Sequence, residues 1–171
     1  LKARGNLAVK FVMAGQGMQK EQLQARAQSE QLESVIFLDS MPKEALACLM
    51  KGADMGMQVL ANIPAFYYGT SPNKFFDYIS CGLPVLNNYP GWLAELITQS
   101  SCGFAIPPNQ PEAFADCLEY AEQHRDKLVQ MGENAVHLAR QQFDRNDLSE
   151  QWVDCLEQVY TQAEDKYQTA T

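Results

Sequence analysis

Residues 69–85 read Gly69-Thr70-Ser71-Pro72-Asn73-Lys74-Phe75-Phe76-Asp77-Tyr78-Ile79-Ser80-Cys81-Gly82-Leu83-Pro84-Val85. Ser71 followed by Pro72 has the pattern of a helix N-cap and a first helical residue, where proline loses nothing by lacking an N–H. Gly82 and Pro84 supply the matching stop. The spacing therefore predicts a helix over 72–81 that leads into a short apolar strand over 84–87. At about 100° per residue Phe75, Phe76 and Ile79 share one arc, with Asn73, Lys74, Asp77 and Tyr78 opposite. Any surface helix shows that split. The N-terminal turn says more, because backbone N–H groups, the Ser71 hydroxyl, the Asn73 amide and the Lys74 ammonium converge there, a set suited to an anion. Asp77, four residues after Asn73, is placed to accept hydrogen bonds from a diol just beyond that anion. A phosphate-plus-ribose ligand fits these residues. So does a well-capped structural helix with no ligand, and the residues alone leave both open.

Outward from this segment, short apolar runs alternate with helix-forming stretches. Strands are expected over 7–14, 35–38, 55–60, 84–87 and 103–106. Helices are expected over 20–32, 42–50, 72–81 and 92–98, and then from Pro111 through Tyr160. This is the pattern of an α/β chain, a Rossmann-like parallel sheet with helices on both faces and a helical C-terminal extension. Residues 1–160 read as one domain and 161–171 as a polar tail whose end, DKYQTAT, is expected to fray. Ligands of such sheets sit beyond the carboxyl ends of the strands, which directs attention to loops 15–19, 39–42, 61–73 and 87–92. The first carries Gly15 and Gly17. The full G-x-G-x-x-G is absent because position 20 is Lys20, and no acidic residue is expected to close the second strand at the ribose position. Gly15-Gln16-Gly17 therefore reads as a tight turn in preference to a dinucleotide loop.

The 171 residues are 46% hydrophobic and 20% charged, with 13 Lys and Arg against 21 Asp and Glu, a net charge of −8. This is the composition of a globular domain, and its sign argues against a nucleic-acid partner, whose phosphates call for clustered cations. No apolar run approaches the ~20 residues of a membrane span. The opening LKARGNLAVKF is not a signal peptide, and a start at Leu1 in place of Met leads us to expect a piece of something longer. The five cysteines, Cys48, Cys81, Cys102, Cys117 and Cys155, are odd in number, widely spaced and without a CxxC pair. They read as reduced, mostly buried thiols of a cytoplasmic protein. His124 and His137 have no partner at metal-ligand spacing, so no metal site is expected.

The segment 69–85 also resembles the signature of the group 1 glycosyltransferases, retaining, nucleotide-sugar-dependent enzymes of the two-lobed GT-B fold. Their C-terminal lobe carries a Glu, seven residues, a second Glu and then Gly-x-Pro-Val. Gly82-Leu-Pro-Val85 matches, and Asp77 stands where the second Glu belongs. The wording TSPNKFFDYISCGLPVL is most similar to transferases of bacterial polysaccharide and lipopolysaccharide synthesis. VKFVMAGQGMQKEQLQARA, VIFLDSMPKEALACLMKGADMGM, CGFAIPPNQPEAFADCLEY and the final helices resemble successive parts of the same lobe. Three departures stand out. Gly69 occupies the place of the first Glu, so sugar contacts fall to backbone groups or to Tyr67, Tyr68 or Thr70. Asp77 is one methylene shorter than Glu. The family's strand and basic loop that clamp the pyrophosphate would precede Leu1, as would the acceptor lobe.

The resemblance implies the donor-binding half of an enzyme that moves a sugar from a nucleotide donor, a UDP-sugar, to a glycan or lipid-linked acceptor with retention. Ser71, Asn73 and Lys74 would face the phosphates and Asp77 the ribose. Gly69 and Thr70 would lie by the sugar, and Leu38 and Met41 near the base. The Gly15–Gly17 loop would border the site. No cofactor is implied, and the absence of Asp-x-Asp agrees with metal-independent transfer. A cytoplasmic location is implied, with any membrane association arising through the acceptor lobe. A UDP-sugar 2-epimerase-like enzyme and a non-enzymatic α/β interaction domain are the alternatives.

Overall fold

The computed structural model describes residues 1–6 and 8–168, with side chains described through residue 162. A short 3-10 turn over Lys2–Arg4 precedes β1 (Phe11–Ala14), α1 (Lys20–Ser29), β2 (Val35–Leu38), α2 (Lys43–Lys51) and β3 (Gly56–Gln58). A second 3-10 turn (Pro64–Phe66) leads to α3 (Asn73–Ser80), β4 (Val85–Asn87), α4 (Trp92–Gln99) and β5 (Gly103–Ala105). Three helices finish the chain: α5 (Pro111–Gln123), α6 (Arg125–Gln142) and α7 (Arg145–Gln168). The expected alternation is present. Strand pairing is parallel throughout, Phe11 opposite Val35, Gly56 opposite Val85 and Val85 opposite Gly103.

The strands form two sheets where the sequence suggests one: a pair, β1-β2, and a three-stranded sheet in the order β3-β4-β5. In β4 the register of a doubly covered sheet is plain, because successive residues enter different cores. Val85 lies with Phe75 and Ile79 of α3, Leu93 and Ile97 of α4, and Ala135 and Leu138 of α6. Leu86 points to Cys117 and Leu118 of α5, where Phe11 of β1 and Met55 before β3 also pack. Phe75, Ile79, Val85 and Leu86 are completely buried, each worth about 1.5–3 kcal/mol of transfer free energy. Phe11 makes β1 the member of its pair nearer the larger sheet. The orders 2-1 and 3-4-5 are compatible with a doubly wound fold. The inner edges of β1 and β3 carry no ladder partner among the described residues.

Several boundaries differ from expectation for local reasons. The first strand begins at Phe11, because the Asn6 side chain accepts the Ala8 N–H in a turn; Leu7 lies outside the described residues. Helix α1 stops at Ser29, where Gln31 takes a left-handed φ of 52° and its N–H and that of Leu32 return to Gln28 and Ala27. Gly82, with φ 73°, ends α3 through the same pair of bonds, Gly82 to Ile79 and Leu83 to Tyr78. This is the stop that the Gly82 signal predicts. The C-terminal helix continues past Tyr160 through Gln168, and 169–171, the end of the expected fraying tail, lie outside the described residues. Cysteines are less buried than expected. Cys102 and Cys117 are buried, but Cys48 and Cys155 are exposed on the outer faces of α2 and α7. Burial pushes the Cys102 and Cys117 thiols up to about 11, which keeps them protonated and unreactive at neutral pH. Among the described residues no helix is long and apolar enough to cross a membrane.

Candidate functional site

Helix α3 starts one residue later than its sequence signal suggests. Pro72 is the N-cap, with φ −80° and ψ 124°, and no side chain caps the turn. Its extended ψ keeps it outside the helix, and Ser71, one residue further out, makes no hydroxyl bond to the backbone among the described residues. The Phe75 N–H donates to the Pro72 carbonyl at 3.0 Å. Pro72 has no N–H, so the Asn73 and Lys74 N–H groups are left without an acceptor among the described residues. Two open donors at a helix N-terminus concentrate the positive end of its dipole. Ser71, Asn73 and Lys74 all lie exposed around that point. Desolvation by its surroundings lowers the Lys74 pKa from its ordinary value, and among the described residues no ion pair offsets it.

Asp77 follows one turn later, half-buried, and its carboxylate has no hydrogen-bond partner among the described residues. Tyr78 departs from the polar arc assigned to it. Its ring lies flat against Gly56 of β3, where an added Cβ would come within 2.4 Å, and its hydroxyl donates to the Met57 carbonyl at 3.5 Å. An aromatic ring with one polar atom packs as readily under a strand as it faces water. Burial raises its pKa, with a smaller contribution from Asp77.

The 61–72 loop that leads into α3 is braced. Thr70 donates its hydroxyl to the Phe66 carbonyl at 2.5 Å, and Tyr67 bonds the Asn62 side chain and stacks on Tyr89. Tyr68 is exposed. Gly69 has open space where a Cβ would be and lacks a left-handed φ, so nothing in the backbone demands glycine there.

Gly15, Gly17, Leu38 and Met41 form a second group at the carboxyl end of the β1-β2 pair. The Gly15 N–H donates to Leu38, and Gly15 holds φ 140°, as its reading as a turn requires. Here Asp39 directly follows β2, where no acidic residue was expected. It is already engaged: Lys20 Nζ lies 2.7 Å from its carboxylate, Gln16 Nε2 donates to it at 2.9 Å, and both hold its pKa below the ordinary value. Lys20 also donates to the Gly15 and Leu38 carbonyls, each at 3.0 Å. The loop is thus closed by its own lysine. Phe75 is buried with Tyr89 and Leu93 in the core of the larger sheet, whereas no described contact joins the Gly15–Met41 group to the α3 turn. A depression of about 430 Å³ lies at the opposite end of α3, between Asp54, Gly82, Arg125 and Val136. Another of about 300 Å³ lies at the carboxyl ends of β4 and β5, lined by Asn88, Ile106 and Phe114.

The family model of glycosyl transferases group 1 matches residues 1–137. The chain is 26% identical over 133 residues to the D-rhamnosyltransferase WbpZ of Pseudomonas aeruginosa, covering 77% of this chain and 34% of that protein. Among solved structures, Anabaena Alr3699/HepE in complex with UDP-glucose superposes with a TM-score of 0.73 at 20% identity, over 90% of this chain and 42% of that one. WaaG, a glycosyltransferase involved in lipopolysaccharide biosynthesis, does so with a TM-score of 0.63 at 24% identity, over 78% of this chain and 34% of that one. The structural likenesses carry the α/β fold. The chain spans about a third of the length of the curated relative it matches.

Proposed function

The chain belongs to the group 1 glycosyltransferases, and from that premise we propose that it forms the donor-binding lobe of an enzyme that transfers a sugar from UDP to a glycan or lipid-linked acceptor with retention, in bacterial surface polysaccharide synthesis. The observation that carries this reading is the start of α3. Two N–H groups, a hydroxyl, an amide and a desolvated lysine meet there, and a carboxylate lies one turn on, with neither the N–H groups nor the carboxylate partnered among the described residues. The turn follows β3 at the sheet's carboxyl end, where ligands of such folds bind. Ser71, Asn73 and Lys74 hold the diphosphate in this account, and Asp77 accepts the ribose hydroxyls. Gly69 and Thr70 border the sugar through backbone groups. Leu38 and Met41 lie toward the base, with the Gly15–Gly17 turn beside them.

The chemistry asked of these residues is electrostatic. As the glycosidic bond to the diphosphate breaks, negative charge accumulates on the leaving oxygen while the anomeric carbon becomes cationic. Fixed N–H dipoles and the Lys74 ammonium oppose that charge without reorganising. The acceptor-binding lobe lies outside this chain in our reading, so the 171 residues alone release no UDP from a UDP-sugar in the presence of an acceptor. Steady turnover by the purified chain contradicts that division of labour. Enzymes of this class work in the cytoplasm in this account, with the membrane reached through the acceptor lobe.

Asp77 provides the test. Asp77→Asn keeps the side chain's shape and loses a charged acceptor, so UDP affinity falls by about 1.5–3 kcal/mol, the range for a hydrogen bond to a charged group. Titration calorimetry with UDP and 2′-deoxy-UDP separates binding from folding. The wild type prefers UDP and the variant discriminates less. Equal affinity of the wild type for both nucleotides removes Asp77 from the ribose and returns it to the helix surface.

A further inference from the structure

The segment that carries the proposed donor contacts is fastened almost entirely from one place, the loop and first turn between β4 and α4. Asn88 accepts the Leu60 N–H at 2.8 Å and returns a bond from its amide to the Leu60 carbonyl at 3.0 Å. Gly91, with φ 116°, brings its Cα against Tyr67 so closely that a Cβ would stand 2.3 Å from the Tyr67 carbonyl oxygen. Trp92 Nε1 donates to the Thr70 carbonyl at 2.9 Å, and its ring meets the buried Phe75 edge-on at 6.4 Å. Thr70 and Phe75 flank the Ser71–Lys74 turn. Trp92 therefore grips both sides of that turn without entering it. Within the turn Pro72 has no N–H to tie it elsewhere, and no side chain caps α3.

We propose that Trp92 is a positioning residue for donor binding: its indole N–H and ring fix the angle at which the 69–72 loop enters α3, and so aim the Asn73 and Lys74 N–H groups and the Lys74 ammonium at the diphosphate. Gly91 is its companion, since only a residue without a side chain lets the loop approach the start of α4. The inference rests on the donor reading of the α3 turn and adds to it the residue that sets the turn's geometry. An arrangement of fixed dipoles works only if something holds it in place before the ligand arrives.

The test uses the full 171-residue chain, with UDP as the probe. Trp92→Phe keeps a ring against Phe75 and removes the donor to Thr70. Gly91→Ala keeps Trp92 and pushes the loop away from α4. In both, amide hydrogen exchange across 60–72 accelerates, and UDP binds roughly three- to tenfold more weakly, the scale of one lost hydrogen bond. A merely structural tryptophan moves the urea midpoint and leaves UDP affinity, measured well below that midpoint, unchanged. That outcome overturns the proposal, as does unchanged loop exchange in Trp92→Phe. If the wild type itself fails to bind UDP, the donor reading falls, and the exchange measurement still decides whether Trp92 holds the loop. If Gly91→Ala does not fold, Trp92→Phe carries the test.

Discussion

Lys74 sits beside two N–H donors with no acceptor among the described residues, and its own pKa is lowered because its surroundings strip water from it. A diphosphate reverses that imbalance. Bound beside the ammonium it raises the Lys74 pKa again, so binding is favoured where Lys74 is protonated and weakens as pH rises through the lowered pKa of the free protein. UDP affinity is thus flat with respect to Lys74 through neutral pH and declines on the alkaline side below the ordinary lysine value of 10.5. Lys74→Ala lowers affinity at neutral pH by about 1–3 kcal/mol and abolishes the alkaline decline. Calorimetry of both proteins from neutral to alkaline pH checks this. A variant that keeps wild-type affinity and wild-type pH dependence takes Lys74 out of the phosphate site. Gly69 tells the complementary story at the same scale. The position is open and unstrained, so a glycine in place of a carboxylate in the proposed site is not a packing demand.

At the scale of elements, the α3 signal was legible because proline, glycine and an apolar arc each have a local cause. The Gly82 stop and the strand that follows appear as read. The side-chain cap did not, because whether Ser71 or Pro72 caps depends on one backbone angle, ψ 124° at Pro72, that residue type leaves free. Tyr78 escaped for a related reason: its place under Gly56 is a tertiary choice. The Lys20–Asp39 pair joins residues that only strand pairing brings together, and the Trp92–Thr70 bond spans 22 positions. Neither leaves a periodic trace. The β1-β2 pair shows what such contacts do. Lys20 is three-quarters or more buried and carries the ends of both strands, whereas Asp39 is 84% exposed and surface pairs of that kind contribute little. Lys20→Met therefore orphans the Gly15 carbonyl and leaves the Leu38 carbonyl with the Gly15 N–H alone, costs about 1–2 kcal/mol and speeds amide exchange over 11–15 and 35–38. Asp39→Asn does neither to a comparable degree. Because Asp39's pKa is depressed in the fold, its small contribution is complete above the ordinary carboxylate value of 3.8 and lost as pH falls through the lower one. Equal exchange rates in Lys20→Met and wild type contradict the pin.

Across the whole molecule the order is uneven. The three-stranded sheet is covered on both faces by α3, α4 and α6 and by α5, while the β1-β2 pair leaves Val12, Met13 and Ile36 exposed. Helix α7 extends about 36 Å with Leu148, Trp152, Leu156 and Val159 exposed along it. The chain covers about a third of the curated relative it matches and 42% of the HepE structure. The proposed donor site lies within the well-covered part, since Phe75 and Ile79 root α3 in the core. Amide and indole N–H shifts recorded as UDP is added to the isotopically labelled chain decide whether the α3 turn holds the diphosphate, because they report each N–H separately. The largest changes are expected at Asn73 and Lys74, with smaller ones through Gly69–Asp77 and at Trp92 Nε1, and none around the Gly82–Val136 depression. Changes confined to that depression or to the Gly15–Lys20 loop, with Asn73 and Lys74 unmoved, would contradict a diphosphate at the α3 turn.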